Sequence, residues 1–164
     1  MSDYNECCRT KKIEFGNNFK TRAEINQLFG LPPGAGTMQG GASLSRQGMT
    51  AIIWWPNDPR PNSEYGWINR KTKLGDALDA QGYNEVLEIS EGNSDPAVAE
   101  KHVKETLSNP ESQKRYVFWH ESRKGVKWYK FYGVYELQKD KTAQDGKTCW
   151  FERIGTSVDL AQIR

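Results

Sequence analysis

Cysteine and histidine are scarce in this chain: Cys7, Cys8 and Cys149 are its only thiols, and His102 and His120 its only imidazoles. Adjacent cysteines seldom bridge each other and the count is odd, so a disulfide framework is excluded and a reducing, cytoplasmic compartment is expected. Without a C-x-x-C pair there is no zinc-site spacing, and neither a metal nor a cofactor is expected. No apolar run is long enough to cross a membrane, and the opening residues MSDYNECCRTKK lack the apolar stretch of a secretory signal. The glycine-rich segment LPPGAGTMQGG has no G-x-x-x-x-G-K-[ST], and Gly34, Gly36, Gly40 and Gly41 do not make a dinucleotide fingerprint. Ser43 and Ser45 stand outside any G-x-S-x-G elbow. Cys149 and His120 both fall in strand-like segments, where a cysteine reads as a small core residue. No catalytic constellation emerges.

Aromatic residues are what the chain has in quantity. Six Trp, seven Tyr and six Phe make up 12% of it, enough apolar surface to exclude disorder despite a mean hydropathy of −0.83. A length of 164 residues supports one domain spanning 1–164, with residues 1–12 expected as a flexible tail.

Local signals place the elements. Thr21-Arg22-Ala23-Glu24 has the form of a capping box and opens a helix over 22–29, which Gly30 and Pro32-Pro33 close. Asp95-Pro96 starts a second helix that runs to about Leu107, with Ala99, Val103 and Leu107 on one face. The remaining segments read as strands: 50–55, a weaker 64–69, 85–90, 115–121, 126–137 and 148–154. In 126–137 the odd positions Tyr129, Phe131, Tyr135 and Leu137 form an apolar face around Gly133. Short connections between the last three strands predict an antiparallel meander. The fold class is α+β: a curved, mostly antiparallel sheet or partly closed β-barrel with about two flanking helices.

Charge is balanced overall, with 23 Lys+Arg against 21 Asp+Glu, but not along the chain. Residues 71–100 carry a balance of −5 and residues 101–130 a balance of +5. In the basic segment, aromatic and basic residues interleave within one predicted hairpin: Trp119-His120, Arg123-Lys124 and Lys127-Trp128-Tyr129-Lys130. Trp54, Trp55 and Trp67 flank the Pro-rich loop WPNDPRPNSEYGW. Aromatic faces stack on bases while cations hold the backbone. For any single Trp a place in the core is the competing reading, yet six exceed the usual need of so small a core.

These residues also carry a family pattern. Arg22-x-Glu24-Ile25 with Phe29-Gly30 leads to Gln39-Gly40-Gly41, then to Tyr65-Gly66, a Y-x-F-Y-G-V-Y-E-L strand (Tyr129 to Leu137) and a last F-E-R-I strand. The pattern resembles the PUA-like domains of modification-dependent restriction systems, similar to SRA domains. The resemblance implies a curved barrel that accepts a flipped modified base, restacks it on aromatic walls and reads its edge. On that basis Trp54, Trp67 and Trp119 are the candidate walls, with Asn69 or Asp76 on the base edge. Lys114, Arg115, Arg123, Lys124 and Lys127 are the candidates for phosphate. The segment YGWINRKTKLGD stands where SRA domains carry a G-x-Y-DD-type stretch, and no HNH motif is present. A nuclease, if one acts here, would be a separate subunit.

The leading expectation is therefore a non-catalytic module that recognises a modified base in DNA. Two alternatives stand beside it. A small metal-dependent nuclease or base-processing hydrolase would use Glu88, Glu121 or Glu136, although Glu136-Leu137-Gln138 has Gln where such enzymes need Lys. A protein-interaction domain, such as an inhibitor of a host defence protein, would use the acidic 71–100 segment as a nucleic-acid mimic.

Overall fold

The computed structural model describes residues 2–36, 40–57, 66–78 and 84–163, with 72–78, 84–87 and 123 described by backbone alone. The chain begins with helix α1 (Tyr4–Thr10), where a tail was expected. Only one of its residues, Cys7, is buried, so it shows no amphipathic period to read. Tertiary contacts hold it instead: Asp3 accepts a hydrogen bond from the Asn18 amide at 2.7 Å, and Ser2 donates to Glu24 at 2.8 Å. Strands β1 (Lys12–Glu14) and β2 (Asn18–Phe19) follow. Helix α2 (Arg22–Leu28) starts as its capping signal predicts, the Glu24 amide donating to Thr21 Oγ1 at 3.1 Å. The Glu24 carboxylate reaches back to the Lys20 amide.

Strands β3 (Gly41–Ser43), β4 (Ile52–Trp54), β5 (Trp67–Leu78) and β6 (Asn84–Asn93) precede helix α3 (Pro96–Ser108). Asp95 caps α3 by accepting from the Ala97 amide, and Ala99, Val103 and Thr106 form its buried face. Then come β7 (Lys114–Arg123), β8 (Val126–Leu137), α4 (Lys139–Asp145), β9 (Cys149–Gly155) and β10 (Ser157–Asp159).

The main sheet has the order β3-β4-β7-β8-β9-β6-β5, with β2 added on β8 and a separate β1–β10 pair. The β4–β7 pair is parallel and the other pairs are antiparallel, including the β7-β8-β9 meander. The sheet curls into a half-barrel. A core cluster lies on each face: Phe19, Ile25, Phe29, Trp55, Phe118 and Phe131 belong to one, and Trp54, Val103, Val117, Trp119, Tyr135 and Phe151 to the other. Burial on both faces is why the run 116–119 is continuously apolar and does not alternate.

One expectation about β8 changes. Tyr129 and Phe131 face the first cluster, whereas Tyr135 and Leu137 face the second. The two faces exchange at a register shift between Val117 and Phe118 of β7, opposite Gly133, whose φ is +120°. A Cβ on Gly133 would stand 2.5 Å from the Gly155 carbonyl oxygen. Gly133→Ala therefore has neither backbone freedom nor space, and it should lower stability by about 2 kcal/mol or more in urea denaturation. A loss below about 0.5 kcal/mol would mean that the bulge yields easily.

Candidate functional site

The curl brings strands that are not neighbours in the sheet to a common opening. Arg115 of β7 and Glu91 of β6 form an ion pair at 3.0 Å, although β8 and β9 lie between them in the sheet order. Around this pair lies a cleft of about 440 Å³. Its lining includes Trp54 of β4, Trp67 and Asn69 of β5, Glu91, His102 of α3, and Arg115. The volume is within the range of small-molecule sites.

The floor is charged and closely partnered. Glu91 receives Arg115 Nη1 on Oε2 at 3.0 Å, and its Oε1 lies 2.6 Å from His102 Nε2. Burial alone would raise the Glu91 pKa, but Arg115 and His102 outweigh it and hold the carboxyl down at about 2. Burial likewise pulls His102 down, and Cys149 and Glu91 outweigh it, leaving the imidazole up at about 9. The Arg115 guanidinium lies 4.5 Å from the Trp54 ring and 4.3 Å from the Phe151 ring, and its Nε donates to the Ser112 carbonyl at 2.9 Å. This sandwich explains how a fully buried arginine is accommodated.

The walls and mouth differ from the floor. Trp67 is 46% exposed at the mouth and meets His102 edge to face, with ring centroids 4.5 Å apart. Asn69 is buried in the wall, opposite Glu91 in the β5–β6 register. Its Oδ1 has no hydrogen-bond partner among the described residues. A buried acceptor without a donor is costly unless a ligand or solvent supplies one.

The structure thus gathers Trp54, Trp67, Asn69 and Arg115 at one cleft, and Trp119, Lys114, Lys124 and Lys127 lie outside its lining. Trp119 is fully buried in the second core cluster, beneath the Lys71 ammonium at 4.7 Å, and does not line the cleft. Arg115 is bound to Glu91 in the floor and so is withdrawn from an outer phosphate surface. Lys114 is half-buried, with its ammonium 5.9 Å from the Tyr116 ring, which belongs to the opposite core cluster. Lys124 and Lys127 are exposed at the β7–β8 turn. Strand β7 carries that turn roughly 25 Å along its length from Arg115. The side chains of Asp76 and Arg123 lie outside the described residues.

Of the carboxylates of the nuclease alternative, Glu88 on β6 and Glu136 on β8 both stand opposite Glu152 of β9 in the sheet register, whereas Glu121 stands apart on β7. Glu88 pairs with Lys141 at 2.8 Å, Glu121 accepts from the Tyr132 hydroxyl, and Glu136 stands on β8 opposite Lys114. Sequence reasoning missed Glu91 and His102. A signal for His102 existed: it lies three residues after Ala99, on the edge of the apolar stripe of α3, where a polar residue needs a partner.

A curled, mostly antiparallel half-barrel flanked by helices defines an α+β domain of the PUA-like class. Residues 6–160 match the SET and RING associated domain, and the chain belongs to that family. It is also similar to a solved structure, the 5-hydroxymethylcytosine-specific restriction enzyme AbaSI, with a TM-score of 0.62 and 22% identity. The match covers 95% of this chain but only 44% of that enzyme, so the likeness concerns the fold. No curated protein matches the chain. Among the described residues, no helix is long and apolar enough to cross a membrane.

Proposed function

We propose that this domain recognises a modified base in DNA by taking the extruded base into the cleft beside Trp67. The observation that carries the proposal is the pairing of a half-exposed indole at the mouth with the Asn69 Oδ1 in the wall, which has no partner among the described residues. The indole offers a stacking face to a base removed from the duplex. The amide oxygen needs a donor, which an exocyclic amine or a hydroxyl on the base supplies. Membership of the SRA family supports the reading, and the specificity named for AbaSI makes 5-modified cytosine the class to test first.

In this reading Lys124 and Lys127, distant from the cleft, meet phosphates of the flanking duplex and carry no information about the base. A nuclease acting with this domain, on a partner or on another part of the same protein, would perform any cleavage.

The test is equilibrium binding to duplexes that differ at one cytosine: plain, 5-methyl or 5-hydroxymethyl. Binding at least tenfold tighter to one modified strand is expected, and equal affinity for all three at low salt would refute base reading. The paired change Lys124→Ala and Lys127→Ala should reduce the slope of log K against log salt by about 2, at 0.9 per phosphate contact. It should leave the preference between modified and plain strands unchanged. An unaltered slope would remove the hairpin from the interface.

A further inference from the structure

Under the floor of the cleft, three different donors converge from elements far apart in sequence: the Glu91 carboxylate on β6, the His102 imidazole on α3 and the Cys149 thiol on β9. Their ligand atoms all lie within 4.8 Å of one another. Glu91 and Cys149 are buried, and His102 is half-buried on the cleft side. We propose that these three residues bind one divalent transition-metal ion of the zinc class, with a fourth coordination position facing the cleft. This goes beyond base reading and does not depend on it.

The donor set argues for the class of ion. One carboxylate oxygen, one imidazole nitrogen and one thiolate sulfur suit zinc or cobalt, whereas magnesium and calcium take oxygen ligands. The surroundings fit as well. Arg115 holds the outer oxygen of Glu91, Oε2, which leaves Oε1 turned toward His102. A hydrogen-bonded partner of this kind orients a ligating carboxylate.

Distance is compatible with occupancy. Two donors on a tetrahedral ion with bonds of about 2.0 Å stand roughly 3.3 Å apart. His102 Nε2 and Glu91 Oε1, 2.6 Å apart, would have to part by well under 1 Å.

Chelator-stripped protein titrated with Co²⁺ decides the matter without DNA. One equivalent should bind and produce a near-ultraviolet thiolate-to-cobalt band that Zn²⁺ abolishes. Cys149→Ser should eliminate that band, and Cys8→Ser should retain it. His102→Gln can still hydrogen-bond to Glu91, and it should weaken Co²⁺ binding at least tenfold; this variant carries the test if Cys149→Ser does not fold. The proposal is overturned if folded wild-type protein shows no band in excess Co²⁺, if the band survives Cys149→Ser, or if His102→Gln binds as tightly as wild type. Each result leaves the DNA titrations free to succeed or fail by themselves.

Discussion

Replacing Trp67 with alanine should weaken binding to a modified-base duplex by about ten- to a hundredfold and leave the stability of the free protein nearly unchanged. The two halves of that expectation have separate causes. Stacking one base on an aromatic ring is worth about 1–3 kcal/mol, and each 1.4 kcal/mol is a factor of ten in affinity. Trp67 is 46% exposed and belongs to neither core cluster, so its removal leaves no cavity in either of them. Trp67→Phe should restore part of the affinity, because a smaller ring still stacks. Asn69→Ala should reduce the preference for the modified strand more than the affinity for plain duplex, since it deletes an acceptor and no phosphate contact. Binding that is indifferent to both changes would place the base elsewhere.

Glu91→Gln should destabilise the fold by about 3–5 kcal/mol in metal-free buffer. The substitution preserves volume but leaves the buried Arg115 without its counter-charge. The contrast is Glu6, whose pair with Arg9 is solvent-exposed; Glu6→Gln should produce no measurable change. Replacing Glu91 and Arg115 together with methionine should recover most of the loss, because both charges then leave the interior. Acid gives a second check. A carboxyl held down at about 2 contributes stability above the usual carboxylate range, and that contribution disappears as pH falls toward 2. The acid limb of the wild-type stability curve should therefore be steeper than that of Glu91→Gln. Identical limbs, or a loss under about 1 kcal/mol, would mean that water already screens the pair.

Much of the fold was legible because its signals are local. Thr21 with Glu24 and Asp95 with Pro96 marked two helix starts through hydrogen bonds that reach only two or three residues. The β7–β8 hairpin and the strand after it followed from β-type residues separated by short connections. Helix α1 was not legible, because what anchors it is distant: Asn18 and Glu24 bind Asp3 and Ser2 from outside the segment. The exchange of faces in β8 was hidden for a related reason. Gly133 was visible, but only its pairing with β7 and its approach to Gly155 show that alternation changes phase there.

The candidate site divides along the same line. Composition and pattern alone established an α+β domain, rich in aromatic residues, with Trp54 and Trp67 beside a Pro-rich loop and cations at a hairpin, and the family resemblance added Asn69. They could not decide which indole faces the cleft and which fills the core: Trp119 and Trp67 are the same residue type in strands of similar character, yet one is sealed and the other open. Nor could they foresee that Glu91 would meet both Arg115 and His102. Those contacts exist because a curled sheet joins strands that share no hydrogen bonds, and side chains report their own chemistry but not the path by which the backbone brings them together.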